Sequence, residues 1–142
     1  MKSLYGLLRE RCGLSLREAS TFHDVPIDTV TSWSSGRRRA PDGVIAELRA
    51  LYAKIETAAD NLIAWVEELG SDEEIELGIA SDDADARSRG WPCVGAHAAY
   101  VGIAAASLDN RLIIAPGVTT LPTAAADSGK IRGMEPPRKK AK

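Results

Sequence analysis

Cysteine is scarce in this chain: Cys12 and Cys93 are the only two among 142 residues. Two thiols so far apart supply no disulfide framework and read as ordinary thiols of a reducing compartment. Histidine is equally scarce, with two residues. Cys93 and His97 fall i, i+4 on one prospective helix and offer at most two ligands, short of a zinc site. Tight packing against the neighbouring alanines is the better reading of that pair. His23 sits in a turn, within reach of a phosphate, but has no partner for nucleophilic catalysis. The acidic cluster Asp72, Glu73, Glu74, Glu76, Asp82, Asp83 and Asp85 lacks the ordered spacing and glycine of a calcium loop, so it reads as a solvated face. A phosphate-cradling glycine loop is absent, and so is any apolar run long enough to span a membrane. In the N-terminal MKSLYGLLRERCG, arginines interrupt too early for a signal peptide. These absences point away from an enzyme, a metal, a cofactor, a small-molecule ligand or a membrane, and toward a cytoplasmic protein.

Net charge is also small, −2, but it hides a segregation. Residues 1–54 hold nine basic against six acidic side chains. Residues 55–129 hold three against thirteen, and residues 130–142 six against one. A near-neutral total therefore does not exclude a polyanionic partner, because the basic end can face phosphate while the acidic part points away.

What is present is concentrated between Leu14 and Arg39, LSLREASTFHDVPIDTVTSWSSGRRR. Ser15 followed by Glu18 is a capping box that opens a helix. Leu16, Ala19 and Phe22 give it an apolar side. His23 and Asp24 form a turn, and Pro26 suits the start of a second helix, where a fixed φ and a missing N–H cost nothing. Val25, Val30 and Trp33 anchor that second helix in a core. Ile27, Asp28, Thr29, Thr31, Ser32 and Ser34 are left to face outward, and Gly36 ends the helix in the left-handed conformation.

The outward face is short, polar and almost uncharged, which suits base edges in a major groove. Asp28 can accept from a cytosine amino group, Thr31 or Ser32 can bond to several bases, and methyl groups of Ile27 or Thr29 can meet a thymine methyl. Asp28 is equally placed to complement the helix dipole. Arg37, Arg38 and Arg39, with Ser34 and with Arg17 on the preceding helix, are the candidates for phosphate, which positions a protein without reading sequence.

The run VPIDTVTSWSSGRRRAP resembles the helix-turn-helix of phage repressor and Cro-type regulators, over residues 3–52. Much of that family has an acid where Ser34 stands, so the chain departs there. Trp33-Ser-Ser-Gly-Arg, then Ala40-Pro-Asp, a long helix and a small mixed C-terminal segment are also similar to anti-CRISPR-associated regulators of phages and mobile elements. The resemblance implies a homodimer that represses its own operon through an inverted repeat.

Beyond the motif, a long helix is expected from Asp42, as N-cap, to about Leu69, with Gly70 as its stop. Val44, Leu48, Leu51, Ile55, Ala58, Leu62, Trp65 and Leu69 alternate spacings of four and three, a heptad seam. A break near Thr57–Asp60 is left open. The first part completes the N-terminal core. The second buries its stripe against the C-terminal segment or another subunit. EIELGIA at 74–80 reads as a strand, SDDADARSRG as a polar loop, residues 92–108 as a small-residue helix and RLIIA at 111–115 as a second strand. Trp33, Trp65 and Trp91 are packing anchors. From Pro116 onward composition predicts disorder. The final PPRKKAK resembles a nuclear-localisation run, but is better read as a basic arm attracted to phosphate or a solvated tail.

The expected architecture is mainly α. A helix-turn-helix DNA-binding domain spans 1–56, a small α+β dimerisation domain 57–115 and a disordered basic tail 116–142. The expected partners are double-stranded DNA with a palindromic operator and a second copy of the chain, in the role of a transcriptional repressor. The alternative is an antitoxin-like or adaptor protein whose C-terminal part binds another protein.

Overall fold

The computed structural model describes residues 3–70 and 72–128. The chain divides into two compact units, Met1–Ile55 and Glu56–Lys142. The described residues are mainly helical, with one small sheet.

The first unit holds α1 (Leu4–Arg11), α2 (Leu16–His23), α3 (Ile27–Ser35) and the start of α4 (Asp42–Glu67). Ser3 caps α1 by accepting from the Gly6 N–H at 3.0 Å. The capping box forms as its spacing requires: Glu18 N donates to Ser15 Oγ, and Ser15 N to Glu18 Oε1. Tyr5, Cys12, Leu14, Ala19, Val30, Trp33, Leu48 and Ile55 are buried in this unit. Complete burial of a side chain such as Leu48 contributes about 1.5–3 kcal/mol. Burial disfavours the charged form of Tyr5 and Cys12, whose pKa values rise to about 12 and about 11.

Helix α4 runs unbroken through Thr57–Asp60. Asp42 is its first helical residue and not its N-cap, because Pro41 already accepts from Val44 and Ile45. The helix stops short of Leu69, and Gly70 follows in the left-handed region at φ +97°. In the second unit Ala58, Ala59, Leu62, Trp65 and Val66 are buried within the single chain.

The second unit continues with β1 (Ile75–Ile79), α5 (Asp83–Ser88), α6 (Val94–Ser107), β2 (Leu112–Pro116) and α7 (Leu121–Ser128). The strands are parallel, with Ile75 beside Leu112 and Leu77 beside Ile114. A parallel pair needs a crossover, and here it carries α5 and α6. Gly78 is required: a Cβ there would lie 2.0 Å from the Val118 carbonyl oxygen.

Further expectations are corrected. The polar stretch after Ala80 is not all loop. Asp82 caps α5 by accepting from Asp85 N at 2.8 Å, and Asp83 accepts from Val94 N at 2.9 Å, at the start of α6. These acids satisfy helix-end N–H groups, so the cluster is more than a solvated face. The stretch after Pro116 is ordered through α7. Small residues Thr123, Ala125 and Ala126 are buried there, and Thr120 Oγ1 accepts from Gly78 N at 2.8 Å. The PPRKKAK end lies outside the described residues.

Candidate nucleic-acid interface

Three residues, Asp24 to Pro26, separate α2 from α3. Asp24 takes the left-handed conformation at φ 60° that ends α2, a place where a short polar side chain is tolerated. Ser20 Oγ donates to the Val25 carbonyl at 2.5 Å and fixes the turn. Helix α3 is then held from beneath. Trp33 lies edge-on to Tyr5 and His23, with centroids 5.4 and 6.0 Å away. Ser3 Oγ lies 2.6 Å from the Trp33 carbonyl oxygen. Arg9 donates to the Leu14 carbonyl at 2.6 Å and to Ser34 Oγ at 3.1 Å. Together these contacts orient α3 against α1 and α2.

The upper face of α3 is the candidate reader. Ile27 is 41% exposed. Asp28 and Thr31 are exposed and Thr29 is half-buried. Thr31 Oγ1 donates to the Ile27 carbonyl at 3.0 Å, so its free capacity is as an acceptor. Ser35 is exposed on the same face, four residues beyond Thr31. Sequence reading passed over it, although helical spacing could have found it.

Ser32 overturns its expected role. It is buried, and its Oγ accepts from Arg37 Nη2 at 2.6 Å. The helical wheel points it away from Val30 and Trp33. It is covered because the chain turns back at Gly36 (φ +84°) and Arg38 N donates to the Ser32 carbonyl at 3.2 Å. His23 is corrected as well: its side chain is fully buried, and Nδ1 lies 2.8 Å from Glu47 Oε1. It is a core residue and presents nothing to a phosphate.

Of the candidate phosphate ligands, Arg17, Arg37, Arg38 and Arg39 are exposed. Arg37 divides its guanidinium between Ser32 and solvent. Arg39 lies 3.7 Å from Asp42, with both side chains at least 90% exposed, an arrangement worth little energy and easily exchanged for another anion. Ser34 is half-buried and accepts from Arg9, which leaves its own proton to donate. Arg38 and Arg39 also line a groove with Arg49, over Trp33, Ala40 and Ile45. Arg49 was not singled out by its sequence, although it stands one turn beyond Ile45. The set is a polar helix face flanked by guanidinium groups, which can present acceptors and methyl groups to base edges and cations to phosphates.

The second unit carries a different polar cluster. Asp127 Oδ1 accepts from Tyr100 OH at 2.5 Å, His97 Nε2 at 3.0 Å and Trp91 Nε1 at 3.1 Å. Ala80 N donates to His97 Nδ1 at 3.3 Å, which puts the imidazole proton on Nε2. Burial, then the Asp127 charge, pushes the Tyr100 pKa upward. Cys93 is buried nearby in sequence and in no disulfide. Among the described residues no group of three or more His, Cys, Asp or Glu side chains is placed to hold a metal ion. No described helix is long and apolar enough to cross a membrane. The cluster ties α7 to α6.

No family model matches this chain, and no curated protein or solved structure matches it.

Proposed function

We propose that this chain is a sequence-specific DNA-binding regulator that acts as a homodimer. The observation that carries the reading is the exposed face of α3, with apolar Ile27 beside polar Asp28 and Thr31, next to exposed Arg38 and Arg39. Helix α3 acts as the recognition helix and enters a major groove. Arg17, Arg37, Arg38 and Arg39 grip the phosphates, and Ser34 can add a hydroxyl contact. One such helix reads too few bases for specificity, so two copies read the halves of an inverted repeat. Bound over its own promoter, the dimer blocks polymerase sterically, and no cofactor takes part. The resemblance of residues 3–52 to phage repressor and Cro-type regulators supports the same reading, as does the basic surplus of residues 1–54.

The experiment is binding of labelled duplex of random sequence by the full chain as salt is raised. The reading expects log affinity to fall linearly with log salt, with a slope of about −0.9 for each phosphate neutralised. Absence of binding at about 50 mM salt overturns it.

A further inference from the structure

The two edges of the β1–β2 sheet are in different chemical states. On the outer edge of β1, Gly78 N donates to Thr120 Oγ1 at 2.8 Å and Ala80 N to His97 Nδ1 at 3.3 Å. Side chains of the same unit close that edge. On β2, Ile75 N donates to the Arg111 carbonyl at 2.9 Å and Gly117 N to the Ile79 carbonyl at 2.8 Å. In a parallel ladder the odd-numbered residues of β2 therefore face β1, and Leu112 and Ile114 turn their N–H and C=O groups away. Among the described residues those four groups have no partner.

The side chains along that edge are apolar. Ile113 is 39% and Ile114 48% exposed. Ile114 stands in register with Leu77, which is fully buried. One row of side chains thus passes from core to solvent across two strands. An open apolar edge is a template for another strand, and a two-stranded sheet alone is marginal.

We infer that a second copy of this chain docks antiparallel on the β2 edge, with the two-fold axis at Ile113, giving a sheet of order β1–β2–β2–β1. This rests on the dimer reading for its purpose and names the surface that reading lacks. Pro116 disfavours the neighbouring register about Ile114. About Ile113, Leu112 pairs with Ile114 of the partner subunit and Ile114 with Leu112 of the partner subunit, so every outward N–H meets a carbonyl. About Ile114, Leu112 would face Pro116 of the partner subunit, which has no N–H, and a carbonyl inside the strand would be bare, whereas about Ile113 the proline falls opposite Asn110 of the partner subunit, outside β2. Charge agrees with the first register. Arg111, 3.3 Å from Glu74, lies opposite Ala115 of the partner subunit, so no like charges face each other. The edge is complementary to itself in hydrogen bonding and sets no like charges opposite each other, as an isologous contact allows.

Cross-linking of the full chain tests the register. Residues on the axis form a non-hydrogen-bonded pair with Cα atoms about 4.5 Å apart, within disulfide range. Ile113→Cys is expected to give a covalent dimer under mild oxidation. Arg111→Cys is not, since its two copies lie about 13 Å apart at ~3.3 Å per residue. The native Cys12 and Cys93 are buried, so the unsubstituted chain gives no covalent dimer. Ile114→Pro removes an outward N–H and spares the bonds to β1. It is expected to weaken dimerisation at least tenfold by sedimentation, with the helical circular dichroism unchanged. Equal cross-linking of I113C and R111C, or an unchanged dimer in I114P, overturns the inference. A chain that dimerises and binds DNA yet fails both edge tests overturns the edge and leaves the DNA reading standing. Cross-linking of I113C in a chain that binds no duplex keeps the edge and overturns the DNA reading.

Discussion

Arg37 folds back on Ser32, with its Nη2 donating to the serine Oγ across 2.6 Å. The serine closest in sequence to the centre of the proposed reading face is therefore an anchor for the arginine that follows it. Substitution Ser32→Ala removes one hydrogen bond to a charged donor, worth about 1.5–3 kcal/mol at most because the guanidinium can still reach water. We predict a modest loss of thermal stability and no change in the ranking of DNA sequences. Thr31→Val, by contrast, is predicted to alter that ranking. Competition binding against a panel of duplexes distinguishes the two.

Arg38 and Arg39 follow α3 and are exposed. Replacing either with Ala is predicted to weaken binding to all duplexes alike and to lower the salt slope by about one. Affinities measured across a salt series check this. A loss confined to some sequences would assign these arginines to base contact.

Asp127 holds three donors with one oxygen. Asp127→Ala takes that acceptor from Trp91 Nε1, His97 Nε2 and Tyr100 OH, of which Tyr100 OH keeps the Thr123 carbonyl at 3.3 Å. A buried donor left unsatisfied costs about 1–3 kcal/mol, so a loss of at least ~2 kcal/mol is expected in urea unfolding of the full chain. Asp127→Asn keeps a carbonyl oxygen at the same place and is predicted to lose less. Equal effects would show that the charge, and not the acceptor, matters.

Hydrogen bonds from Arg89, then from the Ser81 backbone, lower the Asp85 pKa to about 2. A depressed folded-state pKa means that the unfolded chain binds more protons between the two values. The stabilisation is present above the ordinary value of 3.8 and is lost as pH falls toward 2. Asp85→Asn is predicted to flatten the stability profile in that window and to leave the profile near neutrality parallel to that of the unsubstituted chain. Chemical denaturation at stepped pH measures it.

At the alkaline end the sign reverses. Burial lifts Tyr5 to about 12 and Cys12 to about 11. Above their ordinary values the unfolded chain has already lost these protons, so stability falls as pH rises through that range. The Cys12 thiol is also predicted to resist a disulfide reagent at pH 8 until the protein is unfolded. Rapid labelling of the native protein at that position would contradict its burial.

The elements that were legible in sequence rest on signals a few residues long. Ser15 and Glu18 announce the start of α2, and the spacing of Val30 and Trp33 identifies the inner side of α3. The period-two pattern of Ile75 and Leu77 marks β1. What escaped reading depends on partners far along the chain. Nothing near Ser32 reveals that the Gly36 turn will return Arg37 over it. Nothing in LPTAAADS reveals α7, because its anchor is Asp127 reaching residues 27 to 36 positions earlier. Gly78 reads as a weak point in a strand until the Val118 carbonyl is seen to occupy the space of its Cβ. The basic run at Arg37–Arg39 was visible at once, but the division of labour within it was not.

The central claim is that α3 reads DNA in a two-fold pair. Selection of duplexes from a random pool by the full chain tests it most directly. The account predicts enrichment of an inverted repeat whose half-site centres lie about one helical turn, or a whole multiple of it, apart, and loss of that enrichment in Thr31→Val. A pool that returns without enrichment, or enrichment of a sequence with no two-fold symmetry, would contradict it.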